Sequence, residues 1–244
     1  PTFKAVGSII ALPFQAIDAA LSKPKLWVAE KCYNYERTLQ LLAEKFKYTP
    51  EELIVPPENY VAVPALQQIA YCFDSDELRD MYANLLANSM NKVVKNGVHP
   101  GFVEIIKQLS PDEAKILKYM SSHTTIPTIT LRYEYEDGSG LDVVENFSNV
   151  GDLANCEELY ETDKYFNNLN RLGLLEYSNM SSLTNKDFYT PLESHPYIAQ
   201  RNIDSLIESK GFKNSKIKEG YVKLTSYGKA FCNICLSKAD VVSI

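Results

Sequence analysis

The chain has 244 residues, 45% hydrophobic and 23% charged, with a net charge of −6 at neutral pH. That length suits one large or two modest domains of about 100–200 residues. The apolar share is enough for real cores, and no window reaches the roughly 18 uninterrupted apolar residues of a membrane-crossing helix. The acidic balance works against non-specific binding to phosphate backbones. The five cysteines, Cys32, Cys72, Cys156, Cys232 and Cys235, are odd in number and irregularly spaced, which fits reduced thiols in a cytosolic protein and not a disulfide framework.

Residues 2–22 form an uncharged run between Lys4 and Asp18, interrupted by Pro13. Apolar segments of about 10–14 residues are more often core helices than membrane-seeking ones; the alternative is a segment that docks on a bilayer when released. No small-residue cleavage pattern follows Lys4, so no secretory signal is expected. A long helix is predicted from Pro24 to about Tyr48, with Leu26, Val28, Ala29, Cys32, Tyr35, Leu39, Leu42 and Phe46 at helical spacing. Val55-Pro56-Pro57 then forces an extended connector.

Residues 60–109 read as three punctuated helices. The first, through Val61, Ala65, Leu66, Ile69 and Phe73, is apolar on nearly every side. Asp74-Ser75-Asp76-Glu77 breaks it and starts the second, with acidic groups where the helix dipole favours them. That helix repeats apolar residues from Leu78 to Val94, which leaves Asp80, Asn84, Asn88, Asn91, Lys92 and Lys95 on other faces. Asn96-Gly97 supplies a left-handed stop, and His99-Pro100-Gly101 opens the third helix. Residues 1–109 are therefore predicted to be an all-helical domain.

From residue 110 the pattern changes. Ser110-Pro111-Asp112-Glu113 is a capping box before a helix over 111–122. Residues 126–148 alternate like strands around Asp137-Gly138-Ser139-Gly140, which predicts a hairpin. Helices follow at 150–156 and 158–172, ended by Gly173 before the strand 174–177. A polar loop over 178–191, a helix over 194–210, a basic flexible turn over 211–218, a strand over 221–225 and a helix over 226–236 complete the chain. The fold class is mainly α with a small β component: an N-terminal multi-helix domain, then a winged helix-turn-helix-like domain over 110–244 with an inserted hairpin and helix.

The winged-helix reading offers Lys164, Asn167, Asn168, Asn170 and Arg171 as candidate nucleic-acid-binding residues, since Asn and Arg suit base edges. Glu157, Glu158, Glu161 and Asp163 crowd the same segment, and their charge would face the phosphates; DNA ranks below a protein partner. Cys232-Asn-Ile-Cys235 has the spacing of a redox or zinc pair. It lies inside a helix, and the three histidines, His99, His123 and His195, stand apart, so two core thiols are expected. No Gly-rich phosphate loop, nucleophile elbow or helical His pair appears. No enzymatic activity, catalytic residue, metal, cofactor or small-molecule substrate is expected.

One resemblance can be drawn from these phrases. Val63-Pro64-Ala65-Leu66, the run from Asp76 to Met90 (DELRDMYANLLANSM), the run from His99 to Ala114 (HPGFVEIIKQLSPDEA) and Leu224-Thr-x-Tyr-Gly-x-x-Phe231 together resemble the abortive-infection alpha family of bacterial proteins. The resemblance implies a protein whose presence limits phage spread, and it carries no catalytic residues with it. Three readings follow: a non-enzymatic antiphage protein acting through protein partners or self-association, with the apolar N-terminus as one route; a winged-helix transcriptional regulator; and a membrane-disrupting effector using residues 2–22. The expected location is the cytoplasm, with membrane association when active. Arg79, Asn84, Asn88 and Asn91 are the candidate partner-binding residues, because core spacing does not explain their polarity.

Overall fold

The computed structural model describes residues 28–47, 49–69, 75–178 and 181–236. The apolar run over 2–22 and the start of the helix expected from Pro24 lie outside them. The chain forms two compact units. One comprises the described residues up to Pro111 together with those from Ala230 onward; the other is Asp112–Lys229. The protein is mainly α, with one four-stranded sheet among the described residues.

In the first unit, α1 (Val28–Phe46), α2 (Asn59–Ile69) and α4 (Gly101–Lys107) all pack on α3 (Asp76–Ser89). The start of α3 follows the sequence: Ser75 is extended, and its hydroxyl accepts the Leu78 amide at 3.2 Å. Asp76 and Glu77 lie in the first turn, where the exposed amides favour anions. Further along, α3 departs from expectation, because every residue from Met81 to Met90 is buried. Burying Met81, Leu85 and Leu86 contributes about 1.5–3 kcal/mol per side chain.

The helix also stops at Ser89, short of the apolar repeat that runs to Val94. The Val55 amide donates to the Met90 carbonyl and the Lys92 amide to that of Leu53, both at 2.8 Å. This bridge between Ile54 and Asn91 draws the chain out of its helical path. The left-handed stop expected at Asn96-Gly97 is instead a 3₁₀ turn, Lys95–Gly97, with neither residue at positive φ.

The second unit follows α5 (Pro111–Met120) with β1 (Thr125–Glu134), β2 (Gly140–Phe147), α6 (Val150–Leu153), α7 (Thr162–Arg171) and β3 (Leu175–Ser178). Three short helices, α8 (Thr190–Glu193), α9 (Pro196–Ala199) and α10 (Asp204–Ser209), precede β4 (Asn214–Leu224) and α11 (Ser226–Cys235). The sheet order is β2-β1-β4-β3, antiparallel throughout. The β1–β2 hairpin turns where Asp137-Gly138 predicts it, with Gly138 at φ +80°. α7 packs against both β2 and β3.

Two expectations fail here. The predicted helix over 194–210 is broken, because the Arg201 carbonyl accepts the Tyr133 hydroxyl and the Asn202 side chain takes the Ser215 hydroxyl, which ties the intervening chain to β1 and β4. The predicted basic turn over 211–218 is largely strand, since β4 begins at Asn214 and pairs with β1 along ten positions. Ile129, Leu131, Tyr133, Val144 and Phe147 of the hairpin form a core with Tyr189, Leu192, Ile198 and Ile207, so α8–α10 cover one part of the sheet.

Four residues of the phrase Leu224–Phe231 have structural reasons. Leu224 is buried at the end of β4. The Thr225 hydroxyl caps α11 by accepting the Gly228 amide at 2.8 Å and donates to the Gly173 carbonyl at 2.6 Å. A Cβ at Gly228 would lie 2.1 Å from the Leu174 carbonyl oxygen, so only glycine permits that approach. α11 starts in the second unit and runs on into the first, where Phe231 meets Phe102 edge-on with centroids 5.3 Å apart.

Candidate functional site

The polar residues of α3 turn inward. Asn84 and Asn88 stand one turn apart, and their amide groups donate to the carbonyls of Cys235 at 2.9 Å and Ile234 at 2.7 Å. The last carbonyls of a helix lack intrahelical partners, so this pair serves as a cap supplied from a distant part of the chain. Arg79 is buried, and its guanidinium pairs with Asp76. Asn91 is half-buried; its side chain accepts the Val93 amide at 2.9 Å. Arg79, Asn84 and Asn88, expected to face a partner, are buried; the two amide nitrogens and the guanidinium find partners within the chain, while the Asn84 side-chain oxygen has none among the described residues.

The exposed face of α7 is the second candidate, and it is tightly wired. The Asn167 amide donates to Asp163 at 2.9 Å, while its carbonyl accepts the Tyr177 hydroxyl at 3.0 Å. Asn168 donates to Glu113 at 2.8 Å and accepts from Arg171 at 2.7 Å. Asn170 donates to the Leu175 carbonyl at 2.8 Å, and Asn146 of β2 donates to Asp163 at 2.9 Å. Burial, then the charges of Asp163 and Glu145, push the Tyr177 phenol up, so it remains a neutral donor. Lys164 is exposed, with its ammonium 5.9 Å from the Tyr165 ring centroid. Base readout needs free amide edges, whereas these are held by neighbours beside the exposed Glu157, Glu158 and Glu161.

The residue that organises this region is Asp112, which the sequence presents only as part of a cap. Its side chain is buried and accepts the Glu157 amide at 2.9 Å, the Glu158 amide at 3.0 Å, the Tyr165 hydroxyl at 3.0 Å and the Lys115 ammonium at 3.1 Å. Burial opposes the charge, but those four donors outweigh it and hold the carboxyl below its usual range. Burial and the bond to Asp112 push the Tyr165 phenol up. Asp112 thus fixes the turn between α6 and α7 and with it the placement of α7.

The three thiols whose side chains are described, Cys156, Cys232 and Cys235, are buried. Burial pushes the Cys156 thiol up to about 11 and the Cys232 thiol up to about 12, with Cys235 raised well above its usual value. Protonated, buried thiols suit packing and not redox exchange. No group of three or more His, Cys, Asp or Glu among the described residues is placed to hold a metal ion, and no helix among them is long and apolar enough to cross a membrane.

The family model described as abortive infection alpha matches residues 31–235. No curated protein matches the chain. A solved structure of an uncharacterized protein from the hydrocarbon-degrading marine bacterium Alcanivorax borkumensis SK2 shares 17% identity with this chain. The match covers 56% of this chain and 92% of that one, at a TM-score of 0.37. A likeness of that size carries no argument about fold or function.

Proposed function

Since the chain belongs to the abortive-infection alpha family, we propose that it limits phage spread through protein contacts and without catalysing a reaction of its own. The observation that favours a protein over a nucleic acid as the partner is the state of α7. Its asparagines are engaged within the chain, and the acidic residues around it oppose a phosphate backbone. Cys156, Cys232 and Cys235 support it too, because buried thiols that stay protonated are poor nucleophiles.

We read Asp112–Lys229, with Pro111 at its start, as a winged helix carrying an insertion. The order helix, strand, helix, helix, strand, strand supports this, as does the antiparallel arrangement of β1, β4 and β3. β2 and α8–α10 are then additions to that plan. In this reading the α5–α7 helices are a structural or protein-binding module, with Asp112 as its internal clamp.

The test is phage challenge of cells with and without the gene. Fewer or smaller plaques with the gene support the proposal, and equal plaque counts against every phage tried would sink it. A gel shift with duplex DNA across salt concentrations separates it from a transcriptional regulator. DNA contacts strengthen as salt falls, so a shift at low salt that fades at high salt would favour the regulator.

A further inference from the structure

His195 stands where several parts of the second unit meet. Its Nδ1 accepts the Tyr197 amide at 3.2 Å and so caps α9, while its Nε2 lies 3.5 Å from a carboxylate oxygen of Asp152 on α6. The imidazole centroid is 5.0 Å from the ring of Phe147 at the end of β2 and 5.8 Å from that of Tyr160 in the turn before α7. Tyr197, whose amide the imidazole holds, stacks on both of those rings, with centroids 4.5 Å from Tyr160 and 5.4 Å from Phe147. Cap and stack together join α9 to β2 and to the turn that Asp112 fixes.

One ring nitrogen faces a donor and the other an acceptor. Nδ1 can accept an amide only when it carries no hydrogen, so the neutral ring holds its proton on Nε2, toward Asp152. The same turn recurs at His99-Pro100-Gly101, where Nδ1 accepts the Gly101 amide at 3.0 Å at the start of α4. His123 is the contrast: its Nδ1 lies 3.2 Å from the Tyr119 carbonyl, a bond that needs a hydrogen on that nitrogen. The charged and titratable groups around the His195 ring are Asp152 from α6, Tyr160 from the turn and Tyr197 from α9. The Arg201 guanidinium lies 3.8 Å from the Tyr197 ring centroid, and Glu193 of α8 is exposed. The β2 acids are placed elsewhere, Asp142 with Arg132 and Lys218, and Glu145 beside Tyr177.

We propose that His195 is an acid-sensitive latch, which holds α9 against the Tyr160 turn while the ring is neutral and releases it when the ring takes a second proton. That proton goes to Nδ1 and points at the Tyr197 N–H. Two donors cannot share the bond, so the ring swings off the amide and the first turn of α9 loses its cap. Asp152 keeps the charged ring close by, which makes the step an exchange of a cap for an ion pair and not an unfolding. The Tyr197 ring then loses the backbone anchor that sets it between Tyr160 and Phe147. Imidazole is the side chain suited to this, because its charge changes between about pH 5 and 8. The β1–β4 ladder takes no part and stays closed.

The experiment is nitrogen-15 NMR of the full chain between pH 8 and about pH 5, the imidazole range; the Asp112 carboxyl, held below its usual range, keeps its charge throughout. At high pH the His195 and His99 rings are expected to carry their hydrogen on Nε2 and the His123 ring on Nδ1. As the His195 ring takes its second proton, the Tyr197 amide should shift with the same midpoint. Its exchange, corrected for the intrinsic pH dependence, should speed up by about threefold or more, the effect of losing a side-chain cap. His195→Asn supplies an acceptor that does not titrate, so it should keep the protection at high pH and abolish the transition. Asp152→Asn should leave the cap intact and move the transition to lower pH, since the carboxylate favours the charged ring. A hydrogen on Nδ1 of His195 at high pH overturns the proposal. So does a His195 titration that leaves the Tyr197 amide unmoved, or a transition that persists in His195→Asn.

Discussion

Replacing Asp112 with alanine removes the acceptor shared by two backbone amides, the Tyr165 hydroxyl and the Lys115 ammonium. Lys115 can turn to water, since its side chain keeps 19% of its exposure. Tyr165 is buried, and each donor stranded in that way costs about 1–3 kcal/mol. With partial hydration of the two amides, the total is about 3–5 kcal/mol, the range for breaking a buried charged interaction. That is a large share of the roughly 5–15 kcal/mol that holds a typical domain folded. Hydrogen exchange read by mass spectrometry on the 150–165 region gives the local value. Protection of the Glu157 and Glu158 amides should fall by about a hundredfold or more, since each 1.4 kcal/mol is a factor of ten. The pH dependence follows from the depressed carboxyl. Its contribution is complete above the unfolded value of about 3.9 and is lost as pH falls through the lower folded value. The gap between wild type and Asp112→Ala should therefore begin to close below about pH 4 and vanish only below the lower folded value. A loss under about 1 kcal/mol with unchanged protection would refute the clamp.

Two further substitutions test the supports around it. Asn88→Ala should cost about 1–2 kcal/mol by freeing the Ile234 carbonyl, and should speed exchange in residues 230–236 while β1 and β4 amides stay protected; unchanged exchange there would remove the capping role. Gly228→Ala drives a methyl group into the Leu174 carbonyl, so thermal melts should show a loss well beyond the roughly 0.5–1 kcal/mol that separates Gly from Ala in an ordinary helix, and in the opposite direction. A variant as stable as wild type would show that the approach can relax.

Much of the local structure was legible in the sequence because its causes are local. Ser75 with Asp76 and Glu77 marks the start of α3, Asp137-Gly138 marks the hairpin turn, and Gly173 follows α7. What was not legible has distant causes. Asn84 and Asn88 read as candidates for binding a partner, and nothing near them in sequence reveals that the groups they bond are carbonyls about 150 residues away. One signal was present: the run from Met81 to Met90 contains no charged residue, which is how a helix buried on every side reads. Asp112 was hidden by its own plausibility as a cap residue, since the Glu157 and Glu158 amides that it binds lie beyond a hairpin. The break within 194–210 likewise depends on ties to β1 and β4 that no helical period records.

The proposed antiphage role is tested most directly by a single round of infection in which survival of infected cells is scored separately from phage yield. Cells carrying the gene should release few phage, and Asp112→Ala cells should show a weaker block in step with the loosened turn before α7. Normal phage yield from cells expressing the wild-type protein would contradict the antiphage role, and the survival count tells whether the block acts by stopping the infected cell or by inhibiting the phage directly.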